Sequence, residues 1–232
     1  MVIILSEQSP WTSDQMLFNQ DKIILDLCGG TGAWSKPYKE AGYDVRVITF
    51  PPNDVRLYMK PIFRVYGILA APPCTMFSLA GNKSRAEEKQ NGTFNSKMID
   101  ALSIVDACLR IVLITKPVFW ALENPVGTLK NYIGSPVMFF NPCDYGGYME
   151  TGEKTNELTP AQDAFTKKTG LWGVFNKPKE KPVKPEFIIC KSRGKKYSPI
   201  HYRSVGLSPD KRAKIRSQTS TGFARAFFEA NP

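Results

Sequence analysis

"DKIILDLCGGTGAWSKPYKEAGYDVRVITF", residues 21–50, decides the fold of this chain. The apolar, β-branched run at 21–28 predicts a buried strand, and "GGTGAW" after it predicts a tight turn. "SKPYKEAG" then predicts a helix, and "YDVRVITF" (43–50) predicts a second strand that two prolines end. A strand, a glycine turn, a helix and a second strand are the opening unit of an α/β sheet.

Three further segments extend this pattern. "VYGILAA" (65–71) predicts a third strand, residues 95–115 predict the clearest long helix, and "PVFWALEN" (117–124) predicts a fourth strand. Strands that are apolar on both faces and alternate with helices indicate a parallel sheet covered on both sides. Ligands bind at the carboxyl ends of such strands, where "LCGGTG", "AAPPC" and "LENP" fall. "GYMETGEKTNELTPAQD" (147–163) is polar and predicts a surface excursion.

Composition indicates one globular domain with at most a small second lobe. The chain has 232 residues, of which 42% are hydrophobic and 22% charged, close to the averages for soluble proteins. Its apolar stretches are interrupted and too short to cross a bilayer, and "MVIIL" lacks the features of a signal peptide. We therefore expect a cytoplasmic monomer with no membrane partner.

The cysteines and the single histidine limit the possible chemistry. Five cysteines, none in a C-x-x-C pair, disfavour both a disulfide framework and a metal site. Because His201 is the only histidine and is far from Cys74 in sequence, a nucleophile here is expected to work without imidazole.

The positive charge is concentrated in one segment. Residues 174–216 contain 13 Lys and Arg against three acidic residues, which accounts for the whole net charge of +10. Such a segment favours a polyanionic partner, nucleic acid above all. The proline-broken "KPKEKPVKPEF" cannot form an amphipathic membrane helix. A solvated loop is the alternative reading.

Three strand ends carry candidate functional residues. The glycines of "GGTG" allow a close backbone approach to a ligand, although their spacing is not that of a dinucleotide site and a structural turn is the alternative. The prolines of "APPC" place Cys74 on a stiff loop, where a buried inert thiol is the alternative. Glu123 ends an apolar strand, where an acid is costly to bury, so it is a candidate acid or substrate clamp, or a loop cap.

The order "DLCGGTG", "PPC", "ENP" resembles that of the DNA (cytosine-5) methyltransferases, and the compact layout is similar to small phage-encoded members. "DYGG" (144–147) with "KKTGLWG" (167–173), "LSPDKRAKIR" (207–216) and "TGFARAFFEAN" (221–231) extend the resemblance. It implies a Rossmann-like, S-adenosylmethionine-dependent sheet with helices on both faces. The implied domains are a catalytic domain at 1–173, a small basic target-recognition region at 174–205, and a C-terminal segment at 206–232 that returns to the catalytic domain. The host cytoplasm is the implied location for a phage-encoded member.

The resemblance also implies roles for individual residues. Cys74 would add to carbon 6 of a flipped-out cytosine, Glu123 would hold ring nitrogen 3, and S-adenosylmethionine would methylate carbon 5. Asn124 would hold the loops, and Lys168 would replace a missing arginine motif. The implied cofactor residues are Asp26, Cys28, Gly29, Gly30, Gly32, Trp34, Asp54 and Pro72. The implied contacts to double-stranded DNA are Ser78, Lys167, Lys191, Arg193, Lys195, Lys196, Tyr197 and Arg203.

Some positions depart from the family pattern and leave alternatives open. Cys28 replaces a phenylalanine, Thr75 replaces a glutamine, and "ITFPP" offers no acid for the cofactor ribose. One alternative is methylation of an exocyclic amine, with Phe77 as the aromatic residue of the loop. Another is a DNA-binding protein on a catalytically decayed scaffold. A basic surface does not distinguish DNA from RNA.

Overall fold

The computed structural model describes residues 15, 18–79, 82–190 and 194–232, without the side chains of 82–84. A six-stranded sheet has the order β2-β1-β3-β4-β6-β5, and β7 with β8 forms a separate hairpin. The strands are β1 Ile23–Leu27, β2 Asp44–Ile48, β3 Val65–Ala70, β4 Phe119–Pro125, β5 Met138–Phe140, β6 Thr169–Val174, β7 Ile188–Cys190 and β8 Lys195–Tyr197. The helices are α1 Lys36–Glu40, α2 Asn82–Gln90, α3 Phe94–Thr115, α4 Lys130–Ile133, α5 Pro199–Arg203, α6 Pro209–Ser217 and α7 Thr221–Ala230.

The sheet confirms the predicted α/β class. β1 pairs in parallel with β2 and β3, and β3 pairs in parallel with β4. β6 joins antiparallel to β4, and β5 joins antiparallel to β6; the sequence did not indicate these two strands. From β1 the chain runs to β2 on one side and returns to β3 on the other. The resulting crevice at the carboxyl ends of β1 and β3 is where such sheets bind ligands.

Alternate residues of each central strand enter two different cores. Leu25 of β1 packs with Val105 and Ile111 of α3 on one face of the sheet. Ile24, its neighbour, packs with Tyr38 and Phe223 on the other face. Since all five residues of β1 are buried, helices cover the sheet on both sides, as the apolar strands predicted.

Two tyrosine hydroxyls, one from α1 and one from the start of β3, fasten the residues that follow the C-terminal helix α7. The Tyr38 hydroxyl donates to the carbonyl of Asn231 at 2.8 Å, and the Tyr66 hydroxyl donates to that of Pro232 at 2.6 Å. The rings of Phe223 and Phe227 pack on Trp34. α7 therefore packs against the same face of the sheet as α1.

The lysine- and proline-rich segment 175–187 has no regular secondary structure but is bound to the main body. The Gly147 amide donates to the Lys181 carbonyl at 2.8 Å, and the Val183 amide donates to the Cys143 carbonyl at 2.8 Å. The segment therefore pairs with the 3-10 helix Pro142–Tyr148. Among the described residues of 174–205, β7 and β8 form a separate hairpin, and α5 contacts the body through the buried Ile200 and through Arg203.

The predicted surface excursion at 147–163 is only partly exposed. Asp163 and Thr159 are buried, and the Asp163 carboxylate accepts hydrogen bonds from Thr155 and from the Thr221 amide at the start of α7. The polar side chains of this segment are therefore divided between solvent and hydrogen bonds to α7. In the part of the chain that the structure describes, no helix is long and apolar enough to span a membrane.

Candidate functional site

The glycine turn after β1 forms the floor of a cleft. Cys28 adopts φ 58° and Gly30 adopts φ 56°, a conformation that favours glycine over residues with a side chain. A Cβ on Gly29 would collide with the carboxyl group of Asp26. The turn can therefore pass directly over the carboxyl group of Asp26 only because residue 29 is glycine.

The Asp26 carboxyl group is fully buried and only partly satisfied. Ser35 donates a 2.5 Å hydrogen bond to its Oδ2 atom, whereas Oδ1 has no partner among the described residues. Burial raises the pKa of Asp26 to about 6, although the Ser35 bond acts in the opposite direction. A buried carboxyl group with a free oxygen at a ligand cleft suits a cationic or hydrogen-bond-donating group.

The walls of this cleft come from three parts of the chain. Trp34 and the glycine turn lie on one side, Ala71 after β3 on another, and residues 217–219 on the third. The indole Nε1 of Trp34 is buried without a partner among the described residues. Asp26, Cys28, Gly29, Gly30 and Trp34 of the predicted cofactor set thus lie in one cleft.

The remaining predicted cofactor residues are placed differently. Gly32 has φ 71° and contributes to the turn beneath the cleft. Pro72 lies in the next loop, where its carbonyl accepts a bond from Asn124. Asp54 is outside the cleft lining, because its carboxylate binds the guanidinium of Arg56 at 2.6 Å and accepts the Arg56 amide.

The loop that carries Cys74 is fastened to the end of β4. The buried Asn124 side chain donates to the Pro72 carbonyl at 3.0 Å. Thr128 donates from its amide to the Phe77 carbonyl at 2.8 Å, and Ser78 forms a bridge with Gly127. Gly127 has no room for a Cβ, which would collide with the Phe77 carbonyl. Ser78, predicted to touch DNA, is buried and serves this attachment.

A buried arginine holds the same loop from α2. Arg85 donates to the carbonyls of Ser78 at 2.8 Å and Thr75 at 3.2 Å. The Cys74 carbonyl accepts the amides of Phe77 and Ser78, which makes the loop a single turn. The thiol of Cys74 is therefore presented by a turn fixed on two sides.

Beyond this turn, Lys167 joins Glu123 to the carboxyl end of α6. Lys167 Nζ lies 4.0 Å from Glu123 Oε1 and donates to the Arg216 carbonyl at 3.0 Å. Burial raises the pKa of the Cys74 thiol, the cations of Lys167 and Arg216 lower it, and Glu123 adds to the increase. Burial also raises the pKa of Glu123, while Lys167 opposes that shift. The group can thus present a thiol and a carboxyl group to the same substrate.

A second, small cleft begins at Glu123 and Lys167. Its lining is polar where Thr155, Asn156 and Thr159 contribute, and aromatic at Phe140 and Phe165. Residues 218 and 219 line both clefts. The loop between α6 and α7 therefore separates the glycine cleft from the cleft at Glu123.

The predicted lysine pair divides between two places. Lys167, predicted to contact DNA, lies at Glu123. Lys168, predicted to act in catalysis, is exposed and places its ammonium 5.0 Å from the Phe139 ring. The geometry supports Lys167, not Lys168, as the lysine of the site.

The other predicted DNA contacts lie on the hairpin and α5. Lys195 and Lys196 of β8 are exposed, and Tyr197 lies 6.1 Å from the Tyr202 ring. Arg203 donates to the Leu158 carbonyl at 3.1 Å. Lys191 and Arg193 lie outside the described residues.

Sequence reasoning gave no role to Arg216 or to the loop residues Gln218 and Thr219. Residues 207–216 were matched to a family segment, but a linear match does not show which side chain turns toward Cys74. The sequence signal that could have identified Gln218 and Thr219 is their position in a short polar loop. That loop directly precedes the helix that was expected to return to the cofactor cleft.

Part of the chain resembles a known methyltransferase. The type II methyltransferase M.DdeI of Desulfomicrobium norvegicum is 27% identical over 168 residues, covering 53% of this chain and 37% of the relative. This chain is similar in sequence to part of that methyltransferase. It thus spans well under half the length of this relative. No model of a protein family matches the chain.

Among solved structures, a proposed DNA modification methyltransferase encoded within an E. coli prophage is 18% identical. It has a TM-score of 0.38 over 66% of this chain and 46% of that one. At this score the similarity supports no argument about the site.

Proposed function

We propose that this chain transfers a methyl group from S-adenosylmethionine to carbon 5 of a flipped-out cytosine in double-stranded DNA, through a covalent bond to Cys74. The observation that supports this proposal is the hydrogen bonding between the loop after β3 and the end of β4. The loop carrying Cys74 is bound by Asn124 and Gly127, next to Glu123, and Lys167 and Arg216 supply positive charge. The relationship to a type II methyltransferase supports the same class of reaction.

The residues of the glycine cleft fit the proposed cofactor. Asp26 Oδ1 and Trp34 Nε1 are buried without partners among the described residues, and Gly29 leaves room only for backbone. The ammonium group of a methionine moiety would compensate the buried charge of Asp26. When bound there, S-adenosylmethionine would supply the methyl group.

Cys74 and Glu123 would activate the base together. The thiolate would form a bond to carbon 6, and the ring electrons would move toward nitrogen 3. Because burial raises its pKa, Glu123 can hold the proton at nitrogen 3 and make the ring electrophilic. After carbon 5 is methylated, a solvent water would take up the carbon 5 proton, the C–H electrons would re-form the ring double bond, and the bond to sulfur would break to restore the thiolate. This route needs no histidine as a base.

The basic residues support a nucleic-acid substrate. Lys195 and Lys196 are exposed on β8, and the preceding segment presents further lysines such as Lys179 and Lys184. Positive side chains of this kind bind phosphates without reading sequence. A base reaches such a pocket only after it leaves the helical stack, which requires the duplex to be held.

Methylation of an exocyclic amine would need an aromatic side chain of the Cys74 loop to stack on the base. Phe77 is fully buried, with its ring packed near Tyr132, which does not favour that role. The identity of the methylated nucleoside separates the two reactions.

The test is mass spectrometry of nucleosides from unmethylated DNA after incubation with S-adenosylmethionine. The wild type is expected to form 5-methyl-2′-deoxycytidine, and Cys74→Ala is expected to form none. Cys143→Ala, which removes a buried thiol that the proposal does not use, is the control. A methylated amine would support the alternative, and DNA binding without any product would support a decayed scaffold. Full activity of Cys74→Ala would refute the mechanism.

A further inference from the structure

Two side-chain amides join the polar segment 147–163 to the loop between α6 and α7. Nδ2 of Asn156 donates to Oε1 of Gln218 at 2.9 Å and lies 3.5 Å from the carbonyl oxygen of Ile215. Asn156 and Gln218 both line the cleft that begins at Glu123. The bonded pair is therefore part of the wall of that cleft.

Backbone groups fix which way the Asn156 amide is turned. Its Oδ1 accepts the backbone amide of Leu158 at 3.0 Å, and an N–H group can bond only to an acceptor. Nδ2 must then be the atom that faces the Ile215 carbonyl, which itself can only accept. The orientation of Asn156 thus follows from the backbone and does not depend on Gln218.

The orientation of Asn156 decides that of Gln218 in turn. Because Asn156 offers a donor, Gln218 must turn its oxygen toward Asn156. The Nε2 atom of Gln218 has no hydrogen-bond acceptor among the described residues. Gln218 is half-buried and lines both clefts. An oriented N–H donor therefore remains available to a ligand at this wall.

A second polar group without a partner lies in the same wall. The hydroxyl of Ser220 is buried and has no hydrogen-bond partner among the described residues. Ser220 lines the Glu123 cleft together with Gln218. Because a buried polar group without a partner is costly, this wall suits a ligand that offers hydrogen-bonding groups of its own.

We propose that Gln218 donates a hydrogen bond to the O2 carbonyl oxygen of the cytosine, and that Asn156 is the positioning residue that orients the Gln218 amide for this bond. The inference deepens the proposed function and rests on it, because Glu123 would hold nitrogen 3 of the same ring. O2 is bonded to the carbon next to nitrogen 3 and is an acceptor. A donor in the wall of the Glu123 cleft matches it.

Binding measurements test this donor without relying on turnover. One duplex carries, in mixed flanking sequence, a cytosine opposite an abasic site, which costs little to extrude. In the second duplex a 2-aminopyridine C-nucleoside replaces that cytosine. It keeps the amine and the ring nitrogen but has no O2. The ratio of the two dissociation constants for one protein measures what O2 contributes to binding.

Wild type is expected to bind the analogue about threefold to tenfold more weakly than cytosine, as for the loss of one hydrogen bond. Gln218→Glu keeps an oxygen for Asn156 but has no N–H, so it should bind the two duplexes equally. Gln218→Met removes the amide without adding charge and should behave likewise, which decides the matter if Gln218→Glu fails to fold. Gln90→Glu, an exposed change on α2, is the control and should keep the wild-type ratio.

Asn156→Asp tests the positioning role. Its carboxylate can only accept, so the Gln218 amide would turn its Nε2 toward residue 156 and present its oxygen to the cleft. The bond between the two side chains is kept, yet the preference for cytosine over the analogue should be lost. If Asn156 only fastened the loop, Asn156→Asp would keep the wild-type ratio.

A wild-type ratio in Gln218→Glu or in Asn156→Asp would overturn the inference, as would equal binding of the two duplexes by wild type. Calorimetry with S-adenosylmethionine is expected to give the same affinity for wild type and Gln218→Met. A loss of cofactor affinity together with an unchanged ratio would assign the donor to the cofactor and overturn the inference. Failure of the proposed function has a different signature, since the ratios would shift as expected while wild type forms no 5-methyl-2′-deoxycytidine.

Discussion

The side-chain amide of Asn124 donates a 3.0 Å hydrogen bond to the carbonyl oxygen of Pro72. Asn124 follows Glu123 in β4, and Pro72 lies two residues before Cys74. One buried bond thus sets the distance between the proposed nucleophile and the carboxyl group that would hold the base. The loop after β3 and the end of β4, both of which the sequence indicated as candidate sites, are therefore hydrogen-bonded to each other.

Loss of the Asn124 bond should reduce both stability and activity. Asn124→Ala leaves the Pro72 carbonyl without its donor, which costs about 1–3 kcal/mol for a buried group. We expect a lower urea midpoint and a clear fall in methylation by Asn124→Ala. Asn131→Ala, an exposed change on α4, serves as control. A wild-type midpoint together with wild-type activity in Asn124→Ala would show that the bond does not matter.

A methyl group at position 127 should separate the two loops. The Cβ of Gly127→Ala would collide with the Phe77 carbonyl, so the turn that carries Cys74 must move. We expect a large loss of turnover. Gly152→Ala introduces backbone strain at φ 91° with no neighbour within reach and should keep its activity. Equal turnover in the two variants would contradict the close approach.

Arg85 should affect the reaction although it lies on α2. Its two bonds to the carbonyls of Thr75 and Ser78 are charge-assisted, and each contributes about 1.5–3 kcal/mol when buried. Arg85→Gln is expected to lower kcat with a smaller change in cofactor affinity. Arg110 also binds two carbonyls, those of Tyr58 and Arg56, but on the exposed surface. If Arg110→Gln and Arg85→Gln lower kcat equally, the loop argument fails.

Asp26 should make the stability of the ligand-free protein depend on pH. Burial raises the pKa of Asp26 to about 6, above its value in the unfolded chain. The folded state therefore keeps this proton up to a higher pH than the unfolded state. Stability therefore falls as the pH rises from about 4 to about 6, by on the order of 3 kcal/mol from this group. It stays lower at higher pH.

Asp26→Asn removes that dependence and should raise the free energy of unfolding at pH 8. Urea titrations of both proteins at several pH values measure the difference. The same variant should bind S-adenosylmethionine more weakly, as measured by calorimetry. If the free energies of unfolding of wild type and Asp26→Asn change with pH in parallel, folding does not raise the pKa of Asp26.

The four parallel strands and α3 could be predicted because their patterns are local. β1 is buried throughout, so its apolar run and the glycines after it are visible in the sequence. β6 contains Gly170 and Gly173, which have weak strand propensity. It forms because it pairs with β4, and this long-range contact leaves no local signal.

What the sequence could not predict at the site has the same origin, namely contacts between residues far apart in the chain. Lys167 and Lys168 are adjacent in sequence, and only the tertiary structure shows that the first faces Glu123 and the second faces Phe139. Arg216 and His201 meet across two helices. That the loop of Cys74 lies beside Glu123 could be predicted, because the one follows β3 and the other lies near the end of the adjacent strand β4.

Covalent trapping tests the central claim most directly. The protein is incubated with S-adenosylmethionine and duplex DNA containing 5-fluorocytosine, whose carbon 5 cannot lose a proton. The account predicts a stable protein–DNA complex in which peptide mapping places the adduct on Cys74, and none in Cys74→Ala. DNA that binds without covalent capture, or an adduct on another of the five cysteines, would contradict it.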